Sequence, residues 1–245
     1  MDARIRAGNP RPAYFKLQEQ LKNEIESGRL APGERLLPEK KLAEIHQVSV
    51  GTATKAILNL VHAGYLYRVQ GSGTFVSGST LRFGRLRYYR FIKGFGGEEE
   101  NLTIKLLNLK AEKGVEAINR HLQIDRTQGL FRLKRVLFSG RRATGLSISY
   151  LPQKMFRGLD KFPASRFEKV SLYTAIEESY GLPTILNREM LSAIPAGAEV
   201  ARVLKVPEGT PILLVEMLAF TYKERPYEYR QSYCLTDEKK LFREY

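Results

Sequence analysis

A glycine-bearing stretch, Val69–Gly78 (VQGSGTFVSG), is the first candidate for a functional site in this sequence. A G-x-G beside β-forming residues could begin a loop that cradles a phosphate, or it could close a β-hairpin. A dinucleotide site needs a helix directly after the glycines, because the helix N-terminus faces the pyrophosphate. Here a strand pattern, Thr74-Phe75-Val76, follows, and the third glycine is missing. The stretch therefore predicts a hairpin with Gln70, Gly71 and Ser72 at its tip.

General acid–base catalysis needs a titratable pair in a cleft, and this sequence offers few candidates. His46 and His62 lie in the N-terminal helical region, and His121 lies on an amphipathic helix. The single cysteine, Cys234, lies in a strand pattern and is expected to be a small buried hydrophobe. We therefore expect no catalytic residue, no metal ligand and no cofactor.

The composition indicates a globular protein with a polyanionic partner. A chain of 245 residues with 43% hydrophobic residues suits one large or two small domains, and the net charge is +14. We find no apolar run long enough for a membrane span and no secretory h-region in MDARIRAGNPRPAY. One cysteine cannot form an internal disulfide, which fits a reducing compartment. We expect a cytoplasmic protein with no membrane partner.

Basic residues without any acidic residue occupy the segment from Ser79 to Gly97. Two interpretations stay open: a solvated linker, or a basic connector that lies near phosphates. The basic residues are Arg82, Arg85, Arg87, Arg90 and Lys93.

Three helices are predicted before the hairpin. The first begins after Pro12, and the second, short helix follows Pro38. Ser49 is the expected N-cap of the third helix. The predicted inward-facing residues are Tyr14, Leu17, Leu21 and Ile25 on the first helix; Leu42, Ala43 and Ile45 on the second; and Ala53, Ala56, Ile57, Leu60 and Val61 on the third.

The opposite face of the third helix carries Val50, Gly51, Thr54 and Lys55. The second and third helices, joined by a short turn, form a helix-turn-helix. Because most of these side chains are small and uncharged, the helix could seat deeply in a groove. The alternative is an ordinary exposed helix face.

The segment from 12 to 77 resembles the DNA-binding domain of the GntR superfamily of bacterial transcription regulators. The matching motifs are Pro12-x-Tyr14, GRLAPGERL, EKKLA, VSVGTATKAI and AGYLYRVQGSGTFV. The resemblance implies a dimer that places the third helix in the major groove of DNA and the hairpin, or wing, at the minor groove. The DNA contacts that it implies fall on Lys40, Ser49, Thr52, Gln70 and Gly71.

Two departures from the family pattern affect DNA recognition. Val50 and Thr54 stand where guanine-reading arginines are frequent, so the usual operator consensus is not expected. Lys55 can substitute in part, and Val50 could contact a thymine methyl group. Leu37-Pro38 also replaces the family's Pro-Ser, which removes a serine cap.

The pattern of the second half predicts strands alternating with helices, with an internal repeat. EAINRHLQIDRTQGLF and AEVARVLKVPEGTPIL each form a helix, a turn and a strand at one spacing, which predicts pseudo-twofold symmetry. The predicted strands are 102–109, 130–138, 144–151, 185–193, 212–220 and 227–234, and the predicted helices are 115–122, 172–179 and 198–204.

This half resembles the UTRA effector domain of the HutC subfamily, on the ordered motifs RYYRF, SYLP, SLYTAIEESYG, LKVPEGTPIL and RPYEYRQSY. The resemblance implies a mostly antiparallel, chorismate-lyase-like fold that binds a small acidic metabolite. The implied ligand contacts are Arg135, Ser147, Ser171, Tyr173 and Glu228, with Tyr233 nearby.

Three positions depart from the UTRA pattern. Leu137 stands at the place of a frequent second arginine, Ser147 at the place of a frequent glutamate, and Leu235 at the place of a frequent arginine. With fewer charges in the pocket, a sugar phosphate is less expected than a less charged or partly apolar ligand.

The sequence as a whole predicts an α+β protein. We expect a winged helix-turn-helix over 10–78, a linker over 79–88 and an effector-binding and dimerisation domain over 89–245. The expected function is a homodimeric repressor that binds a pseudo-palindromic operator in double-stranded DNA and is released by a small-molecule effector. The alternative is an enzyme of chorismate-lyase-like fold tethered to a DNA-binding domain.

Overall fold

The chain divides into two units, 1–78 and 79–245. The predicted linker, 79–88, lies outside the described residues, as do Arg82, Arg85, Arg87 and Lys93, so both interpretations of the basic segment stay open. The computed structural model describes residues 12–78, 90–92, 94, 102–169 and 171–242.

Three helices and a hairpin form the described part of the first unit, in the predicted order. Helix α1 packs against α3, because the apolar residues of both helices recur at helical spacing and share one face. Leu17 and Leu21 on α1 and Ile57 on α3 are almost fully buried. The elements are α1 (Ala13–Glu26), α2 (Glu39–Ile45), α3 (Val50–His62), β1 (Leu66–Val69) and β2 (Gly73–Val76).

One prediction for this unit is wrong: Ile45 does not face inward but is 57% exposed. Leu42 and Ala43 provide the buried side of α2. Ile45 lies two residues after Ala43, which turns its side chain about 200° around the helix axis and into solvent.

The hairpin is predicted correctly and is widened by a third segment. Strands β1 and β2 pair antiparallel, from Leu66 opposite Val76 to Val69 opposite Gly73. The N–H of Leu36 donates to the carbonyl of Thr74 at 2.8 Å, which joins the preceding loop to β2. At the tip, Gly71 and Gly73 have φ of +74° and +130°, a backbone region that favours glycine.

A six-stranded antiparallel sheet in the order β4-β5-β6-β9-β8-β7 forms the second unit. All six predicted strands and all three predicted helices of this unit are present. The short helix α5 and the β3–β10 pair were not predicted. The strands are β3 (Arg90–Ile92), β4 (Leu102–Glu112), β5 (Leu130–Ser139), β6 (Arg142–Pro152), β7 (Leu186–Pro195), β8 (Pro211–Thr221), β9 (Arg225–Cys234) and β10 (Lys240–Phe242), and the helices are α4 (Glu116–His121), α5 (Ser165–Glu168), α6 (Leu172–Tyr180) and α7 (Ala198–Leu204).

The predicted internal symmetry is confirmed by the strand order, which maps β4-β5-β6 onto β7-β8-β9. Helix α4 precedes β5 as α7 precedes β8. The register agrees, because the pairing of Arg135 with Ser147 has its counterpart in the pairing of Met217 with Arg230. The pseudo-twofold axis passes between the central strands, β6 and β9.

Apolar side chains cover both faces of this sheet. On one face, Leu133 and Met217 pack with residues of α5 and α6. On the other face, Ile148 packs with residues of α7, and Tyr229 packs beside α4. Successive residues of a strand point to opposite faces, so the sequence alternation decides which side chains can meet.

Cys234, the only cysteine of the chain, is buried as predicted, and burial raises the pKa of its thiol to about 12. Because the thiolate is the reacting form, we expect no reaction of the native protein with Ellman's reagent at about pH 8, near the pKa of an ordinary thiol. After unfolding in guanidinium, one thiol per chain should react. A native reaction as fast as that of a free thiol would contradict this prediction.

Candidate functional site

The N-terminal end of α3 presents an exposed surface without acidic residues in its first turn. Val50 is 48% exposed, and Gly51 and Lys55 are exposed beside it. A Cβ added to Gly51 would meet only the Ser49 hydroxyl oxygen, at 4.0 Å. Glycine weakens a helix by about 0.5–1 kcal/mol relative to alanine, and no contact within the domain requires it at this position. The small residue instead suits a close approach from outside.

Ser49 holds the first turn of α3 as its N-cap, as predicted. Its hydroxyl accepts a hydrogen bond from the N–H of Thr52 at 3.2 Å and lies 2.9 Å from the Thr52 hydroxyl. Both hydroxyl groups therefore lie beside the free N–H groups of the helix N-terminus, where an anion such as a phosphate is favoured.

Thr54 is held within the domain. Its hydroxyl contacts the Glu39 carboxylate and lies 3.0 Å from the carbonyl oxygen of Val50. Glu39 also forms an ion pair with Arg68 at 2.5 Å. One carboxylate thus ties α2, α3 and β1 together, so the helix-turn-helix and the wing share a fixed geometry.

Lys55 is positioned by an aromatic ring of α1. Its ammonium nitrogen lies 4.2 Å from the centroid of the Tyr14 ring, the geometry of a cation–π contact. This contact orders a long, flexible side chain at the exposed edge of α3 without neutralising its charge.

The remaining predicted contacts of the first unit are exposed. Gln70, Gly71 and Ser72 form the tip of the wing, and Lys40 lies in the first turn of α2. The exposed N-terminal half of α3 and an exposed glycine-tipped wing define a winged helix-turn-helix, the class of domain that places a recognition helix in a DNA groove.

In the second unit, three charged side chains are buried together on one face of the sheet. Arg135, Glu228 and Arg230 are each 5% exposed or less. Arg230 donates two hydrogen bonds to the Glu228 carboxylate, from Nε at 2.8 Å and from Nη2 at 3.0 Å. Burial lowers the pKa of Arg135 to about 10, and the positive charge of Arg230 is the second cause of the decrease. The bidentate contact between Arg230 and Glu228 is a charge-assisted pair, which is stronger than a hydrogen bond between neutral groups.

Two predicted contacts from α6 lie at different depths. Tyr173 is buried, its ring centroid lies 4.9 Å from the guanidinium carbon of Arg230, and its hydroxyl lies 3.4 Å from the sulfur of Met217. Ser171 is exposed and caps α6, since its hydroxyl accepts from the N–H of Thr174 at 3.4 Å. The structure therefore brings Tyr173, but not Ser171, against the charged group.

Ser147 joins Arg135 directly, because the two residues are paired across β5 and β6. Ser232 follows on β9, opposite Ser147. Both serines are 4% exposed. Together with the three charged residues they form what we call the polar cluster: Arg135, Ser147, Glu228, Arg230 and Ser232.

Tyr233 does not belong to this group, which corrects its predicted place nearby. It follows Ser232 on β9, so its side chain points to the opposite face, where it packs with residues of α7. Burial raises the pKa of its hydroxyl. Strand alternation excludes a contact shared by Tyr233 and Glu228.

Sequence reasoning missed Arg230, Ser149 and Ser232. The sequence does contain a pattern that predicts Arg230 and Ser232. In RPYEYRQSY, polar residues recur at every second position, Glu228, Arg230 and Ser232, and three of the four residues that flank them are tyrosines. Such alternation in a strand predicts one shared face. Ser149 accepts a hydrogen bond from Arg230 Nε at 3.2 Å.

His121 takes a packing role. Its ring stacks on Tyr229, with centroids 5.2 Å apart. In the part of the chain that the structure describes, no three His, Cys, Asp or Glu side chains are placed to share a metal ion. Within the same residues, no helix has the length and apolar character that crossing a membrane requires.

Family comparisons agree with both units. Residues 13–76 match the gntR family of bacterial regulatory proteins, and residues 98–240 match the UTRA domain. The chain therefore belongs to the GntR family of bacterial regulators and carries a UTRA domain. It is a transcription regulator that combines a DNA-binding domain with an effector-binding domain.

Individual relatives span nearly the whole chain. The HTH-type transcriptional regulator YurK of Bacillus subtilis is 28% identical over 222 residues, 89% of each chain. The HTH-type transcriptional repressor NagR of the same organism is 26% identical over 228 residues, 93% of this chain and 92% of NagR.

Solved structures support the same fold. The ligand-binding domain of a GntR-family regulator from Bordetella bronchiseptica covers 65% of this chain and 98% of its own, with a TM-score of 0.60 and 27% identity. PhnF from Mycobacterium smegmatis covers 91% of this chain and 95% of its own, with a TM-score of 0.52 at 21% identity. The second likeness concerns the fold alone.

Proposed function

We propose that this protein is a cytoplasmic, homodimeric repressor of the HutC subfamily, whose operator affinity falls when a small-molecule effector binds the UTRA domain. The observation that carries the proposal is the pairing of an exposed, acid-free recognition helix in one unit with a buried, incompletely bonded polar cluster in the other. The repressor name of NagR supports the sign of regulation.

DNA contact is assigned to the exposed end of α3, the start of α2 and the tip of the wing. The Ser49 and Thr52 hydroxyls and the Lys40 and Lys55 ammonium groups are suited to phosphate oxygens, which fix position. Val50 is suited to apolar contact with a thymine methyl group. The remaining assigned contacts are Gly51, Thr54, Gln70, Gly71 and Ser72.

An exposed apolar edge strand supports a dimer. Strand β7 lies at the edge of the sheet, and its residues Met190 and Leu191 are 61% and 48% exposed. Exposed apolar side chains on an open edge favour pairing with another chain. A twofold dimer would bind a pseudo-palindromic operator.

Catalysis is the second candidate function of the UTRA domain, because chorismate-lyase-like folds also occur in enzymes. We propose binding without catalysis. Arg135, Arg230 and Glu228 are suited to holding an anion, and none of the three is positioned as a general base beside a nucleophile. Turnover of any ligand that binds the polar cluster would overturn this part of the proposal.

A pair of Ser49 variants separates helix capping from DNA contact. Ser49→Ala should destabilise the first unit by about 1 kcal/mol, because the cap is lost. Ser49→Asp should keep the stability, since aspartate caps as well as serine, but it should weaken operator binding several-fold by placing a carboxylate beside phosphates. Thermal unfolding and fluorescence anisotropy measure the two effects. Wild-type affinity in Ser49→Asp would remove Ser49 from the interface.

Fluorescence anisotropy on the protein's own promoter fragment tests the proposed function, with a scrambled duplex as control and across a salt series. We expect tighter binding to the promoter and a log-linear loss of affinity with salt, because phosphate contacts release counterions. Equal binding to both duplexes would contradict sequence-specific regulation. Absence of binding to either would contradict DNA binding by the effector-free protein.

A further inference from the structure

Among the buried polar atoms of the described UTRA domain that have no hydrogen-bond partner, three lie in one row across the sheet. They are the Nε of Arg135, the hydroxyl of Ser147 and the hydroxyl of Ser232. Arg135 is paired with Ser147 across β5 and β6, and Ser147 with Ser232 across β6 and β9. Directly opposite residues on one sheet face have Cβ atoms about 4.5–5.5 Å apart, so the three side chains are consecutive neighbours on that face.

Unbonded buried groups of this kind are costly. A buried polar group without a partner loses its hydration and gains nothing in return. Three such groups in one row are what a bound molecule with matching polar groups would satisfy. The row contains one donor with a fixed positive charge and two hydroxyls that can each donate or accept.

The net charge of the polar cluster determines which charge on a bound molecule would balance it. Arg230 and Glu228 neutralise each other through their bidentate contact. The charged side chains that act on Arg135 among the described residues are Arg230 and Glu228. Two guanidinium groups against one carboxylate leave one positive charge, and it belongs to Arg135.

We infer that the effector is a polyhydroxylated monocarboxylate, whose carboxylate binds Arg135 and whose hydroxyl groups bind Ser147 and Ser232. The inference rests on the proposed effector role of the UTRA domain. A phosphate monoester carries about −1.5 to −2 charges near neutral pH and would leave excess negative charge in a buried site. A neutral polyol would leave Arg135 unbalanced.

Four six-carbon compounds test the charge while the hydroxylated chain stays nearly constant: sorbitol, gluconate, glucarate and sorbitol 6-phosphate. Titration calorimetry on the full-length protein, at constant ionic strength, gives each affinity. We expect gluconate to bind about tenfold or more tightly than each of the others. Tighter binding of glucarate or of sorbitol 6-phosphate would overturn the inference, as would equal binding of all four or binding of none.

Two variants and one control variant locate the site. Arg135→Gln should remove the preference for gluconate over sorbitol, whereas Arg142→Gln should not, because Arg142 is paired at the surface with Asp237. Ser147→Ala remains informative if Arg135→Gln does not fold. It should leave the empty protein equally or more stable, because it removes an unbonded buried hydroxyl, and it should still weaken gluconate binding. Unchanged gluconate affinity in Ser147→Ala would overturn the placement.

Failure of this inference is distinguishable from failure of the proposed function. The same protein samples are titrated with the promoter fragment and the scrambled duplex. Specific DNA binding without a gluconate preference overturns only the ligand class. Gluconate binding without specific DNA binding overturns the regulator proposal and leaves the ligand class standing.

Discussion

Glu228→Gln should destabilise the UTRA domain by about 3–5 kcal/mol, the cost of leaving buried charge without its partner. Glu228 is fully buried and accepts two hydrogen bonds from Arg230. Glutamine keeps the shape but turns an amide NH2 toward a guanidinium, and it leaves Arg135 and Arg230 as two like charges in one buried cluster. The expected decrease of the melting temperature is roughly 10 °C or more.

The rate at which Cys234 reacts with Ellman's reagent reports the stability of the UTRA domain, because this cysteine lies in β9 and is the only one in the chain. The matched control is Glu178→Gln, which removes a carboxylate that pairs with Arg166 at 2.7 Å and is 51% exposed. Exposed ion pairs contribute about 0–1 kcal/mol to stability, so the control variant should have a melting temperature close to that of the wild type. If both variants lose the same stability, the polar cluster does not hold its charges as described.

Lys55→Glu should weaken operator binding about a hundredfold. Each recognition helix would lose one phosphate contact and gain a repelling charge, which we set at about tenfold per helix, and a dimer has two such helices. Because Lys55 is fixed over the Tyr14 ring at 4.2 Å, its charge is already ordered before DNA arrives. The slope of log affinity against log salt should decrease by about 2, one phosphate per chain.

Anisotropy across the salt series measures both quantities. Lys110→Glu supplies the matched control, since it makes the same charge change at an exposed position of β4 in the other unit. Lys55→Arg keeps the positive charge and should retain most of the affinity. An equal effect of Lys55→Glu and Lys110→Glu would show that total charge, and not position, sets the affinity.

The fold was largely predictable because the sequence repeats its physical signals. The helical periodicity of α1 and α3 and the six strand patterns each placed an element where the structure has it. Ile45 was misplaced because a helix of seven residues buries only a narrow stripe. The β3–β10 pair was not predicted because strands of three residues are too short to show an alternating pattern.

The candidate effector site was only partly predictable. Arg135 and Glu228 came from the family resemblance, and the structure places both in the polar cluster. The expectation of a weakly charged pocket rested on Leu137, Ser147 and Leu235, which stand where charged residues are frequent in the family. Arg230, from another strand, brings a second guanidinium to Arg135. Comparison of one position at a time does not detect a charge that a neighbouring strand supplies.

The pseudo-twofold symmetry of the sheet bears on the evolutionary origin of the polar cluster. A domain of two equivalent halves is what duplication and fusion of one ancestral gene segment would produce. By the register, Arg135 corresponds to Met217, and Ser147 corresponds to Arg230. The two copies have therefore diverged beside the axis, where their side chains meet. Neither half alone carries the polar cluster, so an ancestor with a single half would have needed a second copy of itself to form a site there, and that site would have been symmetric.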